Sequence, residues 1–304
     1  MSVDVVLIAG PTASGKSAAA LALAERLGAT IVNADSMQVY SGLAVLTARP
    51  SPADMARVPH RLYGHVHPSE RYSAGRYQAD AAAALAESRA AGRTAIFAGG
   101  TGLYFDVLTK GLSPIPPVPA DIRATVRQKF DEMGRAAFFA DLTARDPAAA
   151  SRLRVSDTQR LLRAMDVLEA TGRPLSQWQA MSTEPVLAGL RVARFVIAPS
   201  REILFERIER RFEAMMESGA LDEARALVGL DPALPAAKAL GLRELWRHLA
   251  GGIDRETAIR EAQLATRDYV KRQMTWFRGR MKEWNWLDDP DLSNLIASIG
   301  REVL

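Results

Sequence analysis

The stretch VDVVLIAGPTASGKSAAALALAERL, from Val3 to Leu27, decides the fold. Its apolar opening, Val3 to Ala9, reads as a buried strand, and its Ala/Leu-rich close reads as a helix that Gly28 stops. Between them Gly10, Pro11, Thr12, Ala13, Ser14, Gly15, Lys16 and Ser17 complete the pattern GxxxxGK[ST] in the strand-to-helix setting that gives it meaning. The glycines let backbone N–H groups turn inward on an anion, and the helix adds its positive N-terminal dipole. Lys16 supplies a mobile cation, and the Ser17 hydroxyl can ligate Mg²⁺. A phosphate cradle is predicted, belonging either to a nucleotide or to another diphosphate.

Outward from this stretch, Thr30 to Ala34 reads as a second strand ending at Asp35, and a polar, proline-containing stretch runs from Ser41 to Ser73. A helix is expected from Ala74 to Ala91, then a third buried strand from Thr94 to Ala98 that closes on Gly99 and Gly100. Strands alternating with helices imply right-handed crossovers around a parallel sheet. At 113–119 (SPIPPVP) four prolines in seven residues break the pattern. Helices are expected beyond them at Ile122 to Met133, Arg135 to Ala144 and Thr158 to Thr171. A β-type run returns at Arg191 to Ala198, followed by helices at Arg201 to Ser218, Leu221 to Leu227, Ala239 to Ala250 and Asp254 to Phe277. The expected architecture is α/β: a P-loop NTPase-like parallel sheet flanked by helices, with an inserted all-helical domain. Residues 1–112 would form the first part of the core, 113–185 the insertion, and 186–304 the core continuation and C-terminal helices.

The 304 residues are 48% hydrophobic and 24% charged, enough to bury a real core. Cysteine is absent, which excludes disulfides, thiolate nucleophiles, iron–sulfur clusters and cysteine-ligated zinc, and suits a reducing compartment. Strand-like sequence begins at Val3, leaving no room for a secretory leader, and the Ala-rich run from Ala79 to Ala91 is interrupted by Asp80, Glu87 and Arg89. A soluble cytoplasmic protein is expected, without a membrane partner. The net charge of +4 neither demands nor opposes a polyanionic partner.

Groups at the carboxyl ends of parallel strands face the ligand crevice, so Asp35 and Thr101 should look into the site beside the cradle. A carboxylate there repels a diphosphate unless Mg²⁺ intervenes or the acid serves a second substrate. The plain alternative is an N-cap or turn aspartate. The third strand ends in GGTGLY at 99–104 rather than in the metal-holding acid of an ordinary P-loop ATPase or kinase.

The set GPTASGKS at 10–17, DSMQVY at 35–40, PHRLYGHVHP at 59–68 and GGTGLY, in this order, resembles the tRNA dimethylallyltransferase (isopentenyltransferase) family. DTQRLLRA at 157–164, GRPL at 172–175, KALGLRELW at 238–246 and KRQMTWFR at 271–278 extend the likeness over nearly the entire chain, to the bacterial form without an appended zinc finger. The resemblance implies transfer of a dimethylallyl group from dimethylallyl diphosphate to N6 of the adenosine 3′ of the anticodon in tRNA. Residues 10–17 would hold the leaving pyrophosphate, Ser17 would carry Mg²⁺, and Asp35 would take the proton of the attacking amine, with Thr101 beside it. Lys238 stands where the family's commonest form has a diphosphate-binding Arg, keeping the charge and losing the bidentate fork, whereas Arg243 matches directly.

The same resemblance assigns the anticodon stem-loop to Asp35, Ser36, Met37, Gln38 and Thr101, to Arg123, to the run Gln159, Arg160, Leu161, Leu162 and Arg163, and to Lys271, Arg272, Gln273, Trp276 and Arg278. Composition supports the last group, because six basic residues with three interleaved aromatics face a single acid between Arg267 and Lys282. The bland alternatives are a C-terminal helix with its aromatics in the core and, for 159–163, ordinary solvated helix surface. His60, His65 and His67 fit no helix face and read as loop rather than as a zinc site. One chain supplies every part, so a monomer is expected. A P-loop small-molecule kinase would leave the basic C-terminal segment unexplained; an RNA-binding protein without catalysis would leave Asp35 unexplained. ATP occupancy of the cradle is physically reasonable under any of these readings.

Overall fold

The computed structural model describes residues 3–181 and 183–303. In chain order the elements are β1 (Val5–Ala9), α1 (Lys16–Leu27), β2 (Thr30–Asn33), α2 (Pro52–Arg57), β3 (His60–Arg61), α3 (Ala74–Ala90), β4 (Ala95–Gly99) and α4 (Gly102–Lys110). Then come α5 (Ala120–Arg145), α6 (Pro147–Ala150), α7 (Thr158–Thr171) and α8 (Leu175–Gln179). The chain closes with β5 (Val192–Ile197), α9 (Arg201–Glu217), α10 (Ala220–Ala226), a 3₁₀ turn at Ala236–Lys238, α11 (Leu242–Leu249), α12 (Arg255–Arg280), β6 (Asn285–Leu287) and α13 (Leu292–Val303).

The chain divides into two compact units, Met1–Thr109 with Val186–Leu304, and Lys110–Pro185. In the first, six parallel strands form one sheet in the order β3-β2-β4-β1-β5-β6. β1 is the hinge of this order: strands from the first half of the chain lie on one side of it and strands from the second half on the other. The crevice beyond its carboxyl end is therefore the expected ligand site. Every residue of β1 is fully buried, which explains its unbroken apolar run, since a strand covered on both faces has no solvent side. Each such Val, Leu or Ile contributes roughly 1.5–3 kcal/mol by leaving water. Val6 and Ile8 join Ala20, Leu23, Ile96, Leu295 and Ile299 in one cluster, so α1 and α13 cover the same face of the sheet. Gly28 ends α1 in the left-handed region (φ 61°), with its N–H on the Ala24 carbonyl.

The second unit has a core of its own. Helix α7 buries Leu161, Ala164, Met165 and Leu168, the i, i+3, i+4, i+7 stripe, against Phe138 and Leu142 of α5. Gly134 (φ 74°) interrupts α5 where the sequence predicts two helices. Buried Asp146 accepts from the Ala149 and Ser176 backbone N–H groups (3.0 and 3.1 Å) and from the Ser176 hydroxyl (2.6 Å), joining α6 to α8. Thr183 donates to the Leu112 carbonyl (2.7 Å), stitching together the two ends of the unit, which begins at Lys110 rather than at 113.

Seven elements go beyond the sequence reading, two of them the short helices α6 and α8. α2 and β3 lie inside the stretch read as polar loop, α4 opens on the last glycine of GGTG, β6 forms the far edge of the sheet, and α13 follows it. The helix expected from Ala239 starts only at Leu242, because Gly241 takes φ 85° and the preceding residues form a 3₁₀ turn.

Candidate active site

The cradle is built by backbone geometry. A Cβ on Gly10 would lie 2.6 Å from both the Ile197 carbonyl and Ser14 Oγ, so only glycine lets the loop leave β1 this way. Gly15 takes φ 93°, and Ala13 takes φ 66°, held there by packing against Leu204, Ile208 and Val270. Lys16 Nζ folds back onto the Pro11 carbonyl (3.1 Å). Desolvation lowers its pKa to about 8, opposed by the charge of Asp35 and reinforced by that of Arg211.

Asp35 follows β2 and is held by its neighbours. Fully buried Asn33 accepts from the Asp35 N–H (2.9 Å) and donates to the carbonyls of Asp35 and Leu62 (2.9 and 3.0 Å). The Asp35 carboxylate accepts from the Met37 N–H (2.9 Å). Thr101 Oγ1 accepts from the Ser36 N–H (2.9 Å) and donates to Ser36 Oγ (3.2 Å). Burial and, after it, the Asp35 charge raise the pKa of the Tyr63, Tyr104 and Tyr269 hydroxyls, so the carboxylate sits among neutral phenols.

Two arginines that the sequence reading missed complete the cradle. Arg207 and Arg211, one turn apart on α9, reach the loop: Arg207 donates to the Ala13 and Ser14 carbonyls (3.4 and 3.3 Å), and Arg211 to Thr12 Oγ1. Arg211 makes no carboxylate ion pair within 4 Å among the described residues, which leaves a partly buried cation beside an anion cradle. The available signal was their i, i+4 spacing on an amphipathic helix, which alone does not separate them from exposed Arg201 and Arg210.

Two cavities meet here. One, of about 390 Å³, is lined by residues 12–18 with Arg207 and Arg211; the other, of about 270 Å³, combines the apolar side chains of Met37, Leu46, Ile208, Phe212, Met215 and Leu240 with the polar ones of Ser36, Thr266, Lys238, Tyr269 and Arg272. Thr12, Asp35, Thr47 and Arg211 line both. A carboxylate and a guanidinium are thus shared between a cationic chamber, that of the cradle with Lys16 and Arg207, and an apolar chamber, so named for its patch of Leu46, Ile208, Phe212, Met215 and Leu240 although Lys238 and Arg272 also line it.

Residues 38–280 match the family of IPP transferases. The chain is 55% identical over 296 residues to the tRNA dimethylallyltransferase of Bradyrhizobium sp. (strain ORS 278), covering 97% of this chain and 96% of that one. The chain belongs to the IPP transferase family. Its structure is similar to that of the tRNA isopentenylpyrophosphate transferase of Bacillus halodurans (TM-score 0.70, 30% identity, 99% of this chain and 95% of that one). A eukaryotic dimethylallyltransferase acting on tRNA shares the fold (TM-score 0.83, 24% identity, 99% of this chain and 77% of that one).

The remaining residues read from the sequence differ in how far they are exposed. Gln273 is buried, accepting from the Thr12 N–H (3.0 Å) and donating to the Gly100 carbonyl (2.9 Å). Trp276 packs its indole against Gly102, where a Cβ would come within 2.1 Å of the ring. Gln38 turns its amide onto the Thr47 and Ala48 carbonyls (2.9 and 3.1 Å), and Leu161 is fully buried in the core of its own unit, because a run of five helical residues cannot keep one face. Gln159, Arg160 and Arg163 are exposed on α7, and Arg123 is exposed on α5. Lys238 lines the apolar chamber and, with Arg243, a neighbouring cavity of about 560 Å³. Lys271 and Arg278 line a separate cavity of about 550 Å³ between α9 and α12. His60, His65 and His67 turn to different partners, Val58, Asp80 and Ser69. No helix among the described residues is long and apolar enough to cross a membrane.

Proposed function

We propose that this chain transfers the dimethylallyl group of dimethylallyl diphosphate to N6 of the adenosine 3′ of the anticodon in tRNA. The observation that carries this reading is the shared wall: Asp35 and Arg211 line both the cationic and the apolar chamber. The diphosphate occupies the loop of residues 10–17 with Lys16, Arg207 and Arg211, and the five-carbon chain lies on the apolar side. At the wall the bond from N6 to C1 of the allyl group forms as the C1–O bond breaks, and that electron pair leaves on pyrophosphate. The N6 proton passes to the Asp35 carboxylate, which suits a weakly nucleophilic aryl amine that must lose a proton as it attacks. Backbone N–H groups and the two guanidinium groups stabilise the charge that develops on the leaving oxygen.

The residues suit Mg²⁺, which takes oxygen ligands largely from phosphate and water. Exposed Ser17, in the first turn of α1, lines the cationic chamber together with Asp35, and no group of three His, Cys, Asp or Glu side chains able to hold a metal occurs among the described residues. Ser17 would hold the ion, which supplies countercharge to the departing pyrophosphate. The base itself is extruded from the anticodon loop before it can reach Asp35.

The test is a single-turnover incubation of the protein with unmodified tRNA, Mg²⁺ and labelled dimethylallyl diphosphate, with ATP in a parallel tube. Label on the adenosine beside the anticodon without ATP is the expected result. ATP consumption with no label on RNA would make the chain a P-loop kinase instead.

A further inference from the structure

The apolar chamber has one wall that belongs to no helix or strand. Residues 41–51 form an irregular loop, and its Leu46, buried to 5% exposure, lines the chamber together with Ile208, Phe212 and Met215 of α9. An irregular loop holds a side chain in place only as well as its backbone groups are anchored. Here three consecutive N–H groups, those of Ala44, Val45 and Leu46, converge on a single carboxylate: Glu223 of α10 accepts from them at 2.5, 2.9 and 2.8 Å. Consecutive N–H groups turned to one side form an anion-binding concavity, and in this molecule a side chain 177 residues further along the chain fills it. The carbonyls of the same loop are held separately, by the Gln38 amide on Thr47 and Ala48.

We infer that Glu223 is a positioning residue that fixes Leu46 as the end wall of the apolar chamber and so limits the length of prenyl chain the protein accepts. The inference rests on the reading that an allylic diphosphate is the donor. Glu223 lines neither of the two chambers; it acts through the loop. Its carboxylate is the common acceptor for all three N–H groups, so its loss releases the whole turn at once and lets Leu46 withdraw. A chamber closed by an anchored leucine rejects a further five-carbon unit by steric clash, whereas a slack one can make room for it.

The experiment uses the full chain, tRNA and two donors, dimethylallyl diphosphate and the ten-carbon geranyl diphosphate, and reads the ratio of their kcat/KM values. Glu223→Ala should raise the geranyl-to-dimethylallyl ratio at least about tenfold, the scale on which a pocket discriminates chain length. Glu223→Gln, which keeps an acceptor, should fall between wild type and Glu223→Ala. Leu46→Ala should raise the ratio with the clamp intact. An unchanged ratio in either alanine variant overturns the inference, since a merely structural role would lower both rates together. Hydrogen exchange on the wild type tests it without a variant: slow exchange at Ala44, Val45 and Leu46 is expected, and exchange as fast as in an open loop overturns the clamp. Wild-type protein that prenylates no tRNA with either donor would instead overturn the proposed function.

Discussion

Two short segments of the first unit, GPTASGKS at 10–17 and KRQMTWFR at 271–278, carry comparable amounts of motif, yet the structure treats them in opposite ways. The first works as a unit, since its chemistry lies in the backbone and its glycines are fixed by φ and by close approach. The second is divided by the helical period of α12. Lys271 and Arg278 line one cavity, Arg272 lines another, and Gln273 and Phe277 are buried. A motif written in backbone conformation can be read from sequence as a block. A motif written on a helix has to be read one face at a time.

The comparison is sharpest at Asp35, whose role depends on neither segment alone. Asp35→Asn keeps the shape and the Met37 contact and removes the proton acceptor. We expect kcat to fall about 10²- to 10⁴-fold with the KM for dimethylallyl diphosphate largely kept. Single-turnover rates with saturating donor check this, and a near-normal rate would refute the general-base role.

Gln273 is where the two segments meet, because it binds the backbone of Thr12 with one amide atom and that of Gly100 with the other. Gln273→Leu should orphan both groups, at a cost of roughly 1–3 kcal/mol each. Thermal melts should show the loss of stability, and the KM for the donor should rise as the cradle loosens. The salt dependence of tRNA binding should stay as it was. A reduced salt slope with unchanged stability would return Gln273 to the RNA-facing surface.

What could be read in advance follows the same division. The strand, cradle and first helix were legible because burial on both faces writes a continuous apolar run and the turn demands glycine. β6 has three residues, too few to show a period, and α4 begins immediately after a glycine-rich turn in a run of mixed apolar residues that suits strand or helix equally. Asp35 was legible by its place at a strand end; Thr101, read by the same rule, lines neither chamber and holds Ser36 instead. Arg207 and Arg211 were not, because what separates them from the other arginines of α9 is that the backbone of residues 12–14 lies against their side of the helix. Glu223 gave no local signal at all, since its partners lie 177 to 179 residues away.

Lys16 allows the cradle to be probed without a variant. Its pKa of about 8 in the free protein lies below the ordinary lysine value because the ammonium is desolvated. Below that pH it is charged and ready for an anion; above it, binding a diphosphate must first restore the proton. The kcat/KM for the donor should therefore be level on the acidic side of pH 8 with respect to this group and fall by up to about tenfold per unit above it. Stability has the opposite sign: between about 8 and the unfolded value the unfolded chain binds more protons, so the unliganded fold gains stability from this group as pH rises. Parallel donor-binding and melting series would separate the two trends, and a donor affinity independent of pH across this range would remove Lys16 from the diphosphate.

The smallest effect expected tests the division of α12 itself. Lys271 and Arg272 are adjacent in sequence and of like charge, and a reading by composition treats them as one basic patch. Lys271 lies in the cavity between α9 and α12 and is paired with Asp268 at 2.8 Å, whereas Arg272 lines the chamber that holds Asp35 and stacks over the Tyr269 ring at 5.5 Å. If faces rather than composition decide, the two charges should not be equivalent. Arg272→Gln should weaken tRNA binding and reduce its salt slope by about 0.7–0.9, the value of one phosphate contact. Lys271→Gln should change the slope less, because its charge is already partly answered by an exposed carboxylate. Equal losses from both variants would mean that RNA spans both faces of the helix, and the segment would then be a block after all.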